Sequence, residues 1–89
     1  MRKMLNFYSY APSIDLHGMD REYAVFIAKE FIQDQYKLKN NTVRIIHGVG
    51  SGILRSAIHE YLKHEKIVKE FKTNYNNSGE TIIILNIEK

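Results

Sequence analysis

Several features that would narrow the function of this 89-residue chain are missing from it. It has no cysteine, which excludes a disulfide framework, a thiolate zinc site and a cysteine nucleophile. No apolar run approaches the roughly 20 residues that a membrane-spanning helix needs. Polar Asn6 and Ser9 interrupt the N-terminal segment, so we also expect no signal peptide. These absences favour a soluble protein of the cytoplasm.

Tryptophan is also absent and proline occurs once, but the rest of the composition is that of a folded domain. Hydrophobic residues make up 44% of the chain and aromatic residues 11%, which argues against intrinsic disorder. A chain of this length can build one hydrophobic core but not two. We therefore expect a single domain at residues 13–89, preceded by an arm at residues 1–12 that is either docked or flexible.

Positive charge is concentrated in the middle of the chain. The formal net charge is only +3, yet residues 36–73 carry eight Lys or Arg against three Glu. A phosphate-backbone partner such as nucleic acid requires a basic region of this kind. A solvated, lysine-rich helix face explains the same pattern equally well, so charge alone does not identify a partner.

The spacing of apolar residues predicts the order β-α-β-α-β-β. Apolar residues repeat at helical intervals from Ala24 to Ile32, after Asp20 as a candidate N-cap, and again from Leu54 to Leu62. β-Branched runs and turn residues predict the strands. The predicted elements are strands at 13–17, 42–47, 67–75 and 81–87, helices that end near Tyr36 and His64, and a turn at 76–79.

This order of elements constrains the topology. A helix joins the first two strands, so these strands lie parallel through a right-handed crossover, whereas the last two strands can form an antiparallel hairpin. We therefore expect a fold of the broad α/β class. More specifically, we expect an α+β sandwich in which two helices cover a mixed sheet of about four strands.

Two strand ends carry the residues most suited to catalysis. Asp15 and His17 lie two positions apart, just before Gly18, and His47 ends the neighbouring parallel strand in the same way. Because the carboxyl ends of such strands meet at one sheet edge, we expect these side chains to converge there. One carboxylate and two imidazoles supply a general base, a general acid and an orienting group for phosphodiester cleavage. Either histidine alone is more often a structural or surface residue.

A glycine-rich loop follows the second strand. Glycines between a strand and a helix let backbone N–H groups approach an anion, and the helix dipole adds partial positive charge there. Arginines in the strand and in the helix are candidate phosphate contacts. The candidate nucleic-acid-binding residues are Gly48, Gly50, Ser51, Gly52, Arg55 and Arg44. The alternative is a tight turn without a ligand, since the spacing matches neither the Walker nor the dinucleotide-binding signature.

Metal binding is a further alternative for the catalytic candidates. An Asp, His, His set can hold a divalent ion, but the spacing of Asp15, His17 and His47 is much less specific than a helical His-x-x-x-His pair. We therefore expect no required cofactor and no metal site. His59 and His64 lie five residues apart on the second helix, which does not stack them on one face, so both are predicted to be surface residues.

Taken together, residues 15–18 (Asp-Leu-His-Gly) and residues 47–52 (His-Gly-x-Gly-x-Gly) resemble the two motifs of the Smr (small MutS-related) domain. The resemblance extends from about Ile14 to Ile87. It implies a fold similar to the C-terminal domain of translation initiation factor three. It also implies nicking or cleavage of DNA or RNA, or binding to branched or structured nucleic acid, with both motifs at the site. Val49 departs from the family pattern, because lysine or arginine is usual between the first two glycines.

The leading hypothesis is a stand-alone Smr-type domain that binds nucleic acid and cleaves phosphodiester bonds, with Asp15, His17 and His47 as catalytic residues. A non-catalytic nucleic-acid-binding module and a protein-interaction domain that uses the aromatic N-terminal arm are the alternatives. A basic surface beside Asp15 and His17 favours the first two hypotheses over the third, and a cleavage assay separates the first from the second. The sequence leaves open whether the substrate is DNA or RNA, and which oligomeric state the protein adopts.

Overall fold

The computed structural model of the protein describes residues 10–87 and contains six elements in the predicted order. They are β1 (Ser13–Asp15), α1 (Arg21–Lys37), β2 (Thr42–Ile46), α2 (Ile53–Lys63), β3 (Val68–Asn74) and β4 (Asn77–Leu85). Both helices end within one residue of their predicted ends. In this part of the chain, no helix has the length and apolar character that crossing a bilayer requires. Most of the predicted arm at residues 1–12 lies outside the described residues.

The four strands form one mixed sheet in the order β1-β2-β4-β3. β1 pairs with β2 in parallel, with Asp15 opposite Ile46, while β4 runs antiparallel to both β2 and β3. The predicted parallel pairing of the first two strands and the predicted antiparallel hairpin are therefore both present, and the α+β fold class is confirmed. Because β1 and β2 end at the same edge, the two glycine motifs that follow them are neighbours.

Both helices contribute to a single apolar core against the sheet. α1 begins after Asp20, whose carboxylate accepts hydrogen bonds from the N–H groups of Glu22 and Tyr23 at 3.1 and 3.3 Å and so caps the helix. Full burial of an isoleucine or leucine side chain stabilises a fold by about 1.5–3 kcal/mol. The buried members of the core are Leu16, Ala24, Ala28, Ile32, Val43, Ile45, Ile58, Leu62, Ile83 and Leu85.

The hairpin between β3 and β4 differs from its predicted form. The turn occupies residues 75–76 rather than 76–79, and β4 already begins at Asn77. The side chain of Asn74 accounts for the early turn, because its Oδ1 accepts a hydrogen bond from the backbone N–H of Asn76 at 2.9 Å. An irregularity near the start of β3 also interrupts the alternation predicted for that strand.

Candidate functional site

Asp15 and His17 form an exposed hydrogen-bonded pair at the end of β1. The Nδ1 atom of His17 lies 2.7 Å from Oδ1 of Asp15, and the backbone N–H of His17 donates to the same oxygen at 3.1 Å. These bonds, the ring contact first, hold the pKa of the Asp15 carboxyl below its ordinary value. An ionised carboxylate only accepts hydrogen bonds, so in the neutral ring Nδ1 carries the hydrogen and Nε2 presents a lone pair. This lone pair is open to a substrate because 68% of the His17 side chain is exposed.

The two sequence motifs meet where β1 and β2 end. Gly48 lies so close to His17 that a Cβ added to Gly48 would be 3.1 Å from the Cβ of His17. Gly48 also has a φ of +86°, a conformation that glycine adopts without steric cost. On the other side, the backbone N–H groups of His47 and Gly48 both donate to the carbonyl of Gly79 at 2.9 Å. The start of the loop is therefore fixed between β1 and β4, beside the Asp15–His17 pair.

Residues 48–52 form one wall of an open pocket of about 290 Å³. Gly52 precedes α2 with a φ of +86° and makes no side-chain capping bond, and the first turn of α2 contains no acidic residue. The first N–H groups of a helix have no partner inside the helix, and the helix dipole places partial positive charge at this end. The pocket is therefore suited to an anion.

Two arginines line this pocket. Arg55, one of the predicted phosphate contacts, lies in the first turn of α2, and its Nη2 is 3.6 Å from the position of a Cβ on Gly52. Arg21 is the first residue of α1 and was not among the predicted residues. Its position directly after the Asp20 cap was the available signal, because this places it at the start of the helix that follows the first motif. The loop itself, residues 48–52, contains no basic residue, and the exposed side chain at its second position is the apolar Val49. Arg21 therefore adds to Arg55 a second positive charge that the loop does not provide.

The side chain of His47 is turned into the protein, and only 3% of the residue is exposed. Its Nδ1 lies 3.0 Å from the carbonyl oxygen of Gly48, and its Nε2 lies 2.8 Å from Oγ1 of Thr81. Both ring nitrogens thus have partners inside the protein, an arrangement that does not fit the predicted role of a catalytic residue. Within residues 10–87, no group of three His, Asp or Glu side chains is arranged to hold a metal ion.

His59 was predicted to be a surface residue, and this prediction is wrong. The residue is half-buried, its Nε2 lies 2.8 Å from the same Oγ1 of Thr81, and its ring contacts the ring of Phe71 with centroids 4.9 Å apart. Burial first, then the nearby His47 and Arg55, lower the pKa of His59 below its ordinary value. The helical spacing did not reveal this contact because the hydroxyl partner lies on β4, far away in sequence.

Arg44 is directed at acceptors within the protein. Its Nη1 donates to the carboxylate of Glu80 at 3.0 Å, and its Nε and Nη2 donate to the carbonyl oxygen of Ala11 at 3.0 and 2.9 Å. The side chain thus fastens the segment before β1 to the start of β4. A guanidinium engaged in this way does not fit the predicted role of a phosphate contact.

Comparison with known proteins relates these features to named relatives. The family model described as "Smr domain" matches residues 14–86, which include both motifs. Endonuclease MutS2 of Clostridium novyi is 38% identical over 85 residues, which are 94% of this chain and 11% of that protein. Endonuclease MutS2 of Caldanaerobacter subterraneus is 36% identical over 80 residues, with coverage of 89% and 10%. The chain therefore spans about a tenth of the length of these relatives.

Two solved structures share the fold. The Smr domain of Thermus thermophilus MutS2 matches with a TM-score of 0.82 at 29% identity, covering 84% of this chain and 98% of that one. YdaL, a stand-alone small MutS-related protein from Escherichia coli, matches with a TM-score of 0.74 at 24% identity, covering 82% of this chain and 63% of that one. At this lower identity, the second match bears on the fold alone.

Proposed function

This chain belongs to the Smr domain family, and we propose that its glycine-loop pocket binds the phosphate backbone of RNA and that the Asp15–His17 pair cleaves it. The observation that carries the proposal is an exposed imidazole that is oriented by a carboxylate and lies against Gly48, a residue of the wall of a pocket suited to an anion. The names of the relatives, endonuclease MutS2, support cleavage of a phosphodiester bond as the class of reaction.

Backbone binding is supported by the charge and the free donors of the pocket. The N–H groups at the start of α2 can donate to phosphate oxygens, while Arg21 and Arg55 add positive charge on either side of the loop. Phosphate contacts carry no base information, so the affinity depends little on sequence. Each neutralised phosphate releases counterions, so we expect the affinity to fall steeply with increasing salt.

Cleavage is supported by the tautomer of His17. With its Nδ1–H donated to Asp15, the ring presents Nε2 as a general base. In RNA this nitrogen takes the proton of a 2′-hydroxyl, the 2′-oxygen forms a bond to phosphorus, and the bond from phosphorus to the 5′-oxygen breaks. Both nitrogens of His47 are engaged within the protein, so we assign protonation of the leaving 5′-oxygen to water. The products are a 2′,3′-cyclic phosphate and a 5′-hydroxyl.

A second candidate function is RNA binding without cleavage. The observation in its favour is Val49, which puts an exposed apolar side chain in the loop where the family usually has a cation. Less positive charge beside the phosphate means weaker stabilisation of the charge that develops during cleavage. The protein-interaction alternative was based on residues 1–12, most of which lie outside the described part of the chain.

End-group analysis of a labelled RNA hairpin, with and without EDTA, tests the proposal. We expect 2′,3′-cyclic phosphate and 5′-hydroxyl ends that form equally well in EDTA. His17→Ala should slow cleavage by roughly 10²–10⁴-fold, the usual contribution of one general acid–base group. Products with 5′-phosphate ends, or cleavage abolished by EDTA, would contradict the mechanism and point to metal-assisted hydrolysis. Binding without any cleavage would establish the second candidate instead.

His64→Ala is the matched control for His17→Ala. His64 is exposed, as predicted, and its Nε2 lies 3.1 Å from a carboxylate oxygen of Glu60, so it is also a surface imidazole paired with a carboxylate. It lies at the other end of α2, away from the pocket. We expect this variant to cleave RNA at the wild-type rate. Equal loss in both variants would remove the special role of His17.

A further inference from the structure

We propose that Thr81 and His59 are positioning residues for the glycine loop, and that they act through the ring of His47 to aim the backbone N–H of Val49 at the pocket. The inference rests on the proposed function only in treating this loop as a phosphate-binding element. The three hydrogen bonds that carry it join buried or half-buried groups that the cleavage mechanism does not use.

The contact with Gly48 fixes the hydrogen on the His47 ring. Nδ1 of His47 lies 3.0 Å from the carbonyl oxygen of Gly48. A carbonyl oxygen only accepts hydrogen bonds, so Nδ1 must donate and must carry the hydrogen. In the neutral ring, the other nitrogen, Nε2, then has a lone pair and needs a donor.

The hydrogen bonds that Thr81 makes with His47 and His59 can have only one donor and acceptor assignment. The hydroxyl of Thr81 lies 2.8 Å from Nε2 of His47 and also 2.8 Å from Nε2 of His59. A hydroxyl has a single hydrogen, and the neutral His47 ring requires it. The hydroxyl must therefore accept from His59, whose Nε2 carries a hydrogen. The hydrogen bonds are thus donated in sequence from His59 to Thr81, from Thr81 to His47, and from His47 to the carbonyl of Gly48.

The groups in this series of hydrogen bonds are buried, which makes each bond costly to lose. Thr81 is fully buried and His47 nearly so, so neither can exchange a lost partner for water. Phe71 holds the ring of His59 against the sheet by an edge contact. The orientation of the His47 ring is therefore set from the side of α2 and β4, below the loop.

Through the peptide bond between Gly48 and Val49, the orientation of the His47 ring determines the direction of the Val49 N–H. In a trans peptide the C=O and the next N–H point in opposite directions, and the described residues contain no cis peptide bond. Because the carbonyl of Gly48 is held toward the buried His47 ring, the N–H of Val49 points away from it. Val49 lines the pocket together with Gly48 and His47, and within residues 10–87 its N–H has no hydrogen-bond acceptor. This amide is thus available to a phosphate oxygen.

The first test is NMR of the ¹⁵N-labelled imidazole rings of the wild-type protein at mildly alkaline pH. We expect His47 with its hydrogen on Nδ1 and His59 with its hydrogen on Nε2. Finding His47 with its hydrogen on Nε2 would overturn the proposal, because the Gly48 carbonyl would then face a lone pair. This measurement does not involve RNA, so it stands even if the proposed function fails.

The second test removes the hydroxyl with Thr81→Val, which keeps the shape of the side chain. We expect the amide resonance of Val49 to shift and the affinity for a single-stranded RNA oligonucleotide to fall about tenfold, the equivalent of one hydrogen bond to a charged group. Thr81→Ser should restore both properties. Thr73→Val is the matched control, because Thr73 lies directly opposite Thr81 on β3, and it should change neither property. An unmoved Val49 amide in a folded Thr81→Val protein would overturn the proposal.

A pair of variants at His59 keeps the proposal falsifiable if Thr81→Val does not fold. His59→Gln retains an N–H donor at a comparable position, whereas His59→Leu removes it. We expect the Val49 amide and the RNA affinity to change in the leucine variant and to stay near wild type in the glutamine variant. The same response in both variants would mean that His59 contributes only packing. If the wild-type protein binds no RNA, the proposed function fails, while the Val49 amide still reports on the positioning role.

Discussion

The ends of β1 and β2 carry the same His-Gly dipeptide and use its histidine in opposite ways. His17 is exposed, and its ring is oriented by a carboxylate that contacts Nδ1, while Nε2 has no partner among residues 10–87. His47 is buried, and both of its nitrogens are bonded inside the protein. The first arrangement suits proton transfer to a substrate, and the second suits the support of a loop. The same short motif therefore does not imply the same chemistry.

The alternation of side chains along each strand explains the difference. At the end of β1 the buried position is Leu16, so His17 falls on the opposite side and is exposed. In β2 the buried positions are Val43 and Ile45, and two residues further along, His47 continues the same side. A shift of one residue in the phase of burial thus separates a candidate catalytic histidine from a structural one.

The largest expected effect comes from replacing each histidine by alanine. His17→Ala should lower the rate of RNA cleavage by roughly 10²–10⁴-fold and leave the free energy of unfolding near its wild-type value. His47→Ala should lower the free energy of unfolding by about 1–3 kcal/mol, because it leaves buried hydrogen-bonding groups of its neighbours without a partner. Denaturant unfolding and cleavage assays on both variants check this. Equal destabilisation by the two substitutions would contradict the comparison.

Gly48→Ala should have the next largest effect, because it strains the contact between the two strand ends. The added Cβ would meet the Cβ of His17 at 3.1 Å and would require a φ of +86°, for a cost of about 1–3 kcal/mol. Gly50→Ala is the matched control, since Gly50 also has a positive φ, of +27°, but a Cβ there meets nothing within 4 Å. We expect the control to be less destabilising in urea unfolding. A control that costs as much as Gly48→Ala would show that backbone strain alone, without the contact, explains the effect.

The three arginines should have different effects, because Arg21 and Arg55 line the pocket whereas Arg44 bonds to groups within the protein. Replacing Arg21 or Arg55 by alanine should reduce the slope of log affinity against log salt by about 0.7–1, the value for one lost phosphate contact. Arg44→Ala should leave that slope unchanged and lower the stability instead, because the buried carboxylate of Glu80 loses its cationic partner and keeps only hydrogen bonds from asparagine side chains. Filter binding of RNA across a salt series measures the slopes. The assignment fails if Arg44→Ala changes the slope as much as Arg55→Ala does.

The smallest expected effect concerns the pH dependence of stability. The pKa of His59 is lowered in the folded protein by burial, His47 and Arg55, so below 6.5 the unfolded chain binds more protons than the folded chain. The stability that neutral His59 contributes is therefore fully present above pH 6.5, the ordinary pKa that the residue has in the unfolded chain. It is lost as the pH falls from this value toward the lower pKa of His59 in the folded protein. His59→Gln removes this titration, so its free energy of unfolding should fall less steeply on acidification. Identical slopes in both proteins would contradict the assignment.

Much of the fold could be predicted from the sequence because apolar spacing reports directly on local structure. The helical repeats and β-branched runs placed all six elements in order, and the crossover rule placed β1 beside β2. The early hairpin turn was missed because it depends on a side-chain bond of Asn74 within an asparagine-rich segment.

The site was less predictable, because its residues are positioned by contacts between distant parts of the chain. The direction of His47 was ambiguous, since apolar Ile45 and Ile46 precede it and do not define which side is buried. The contact between His59 and Thr81 joins α2 to β4, and no spacing within the helix indicates it. Arg21 has no motif of its own, and its only local signal is its position after the Asp20 cap, which does not by itself show that the residue lines the pocket.

The central claim is that cleavage begins with removal of the proton from the 2′-hydroxyl of RNA, and a single modified substrate tests it most directly. An RNA hairpin with one 2′-O-methyl group at the cleaved nucleotide keeps its phosphates but has no proton to give and no free nucleophile at that position. We expect the wild-type protein to bind this hairpin as tightly as the unmodified one and to leave the modified position intact. Cleavage that continues at the modified position would contradict the account.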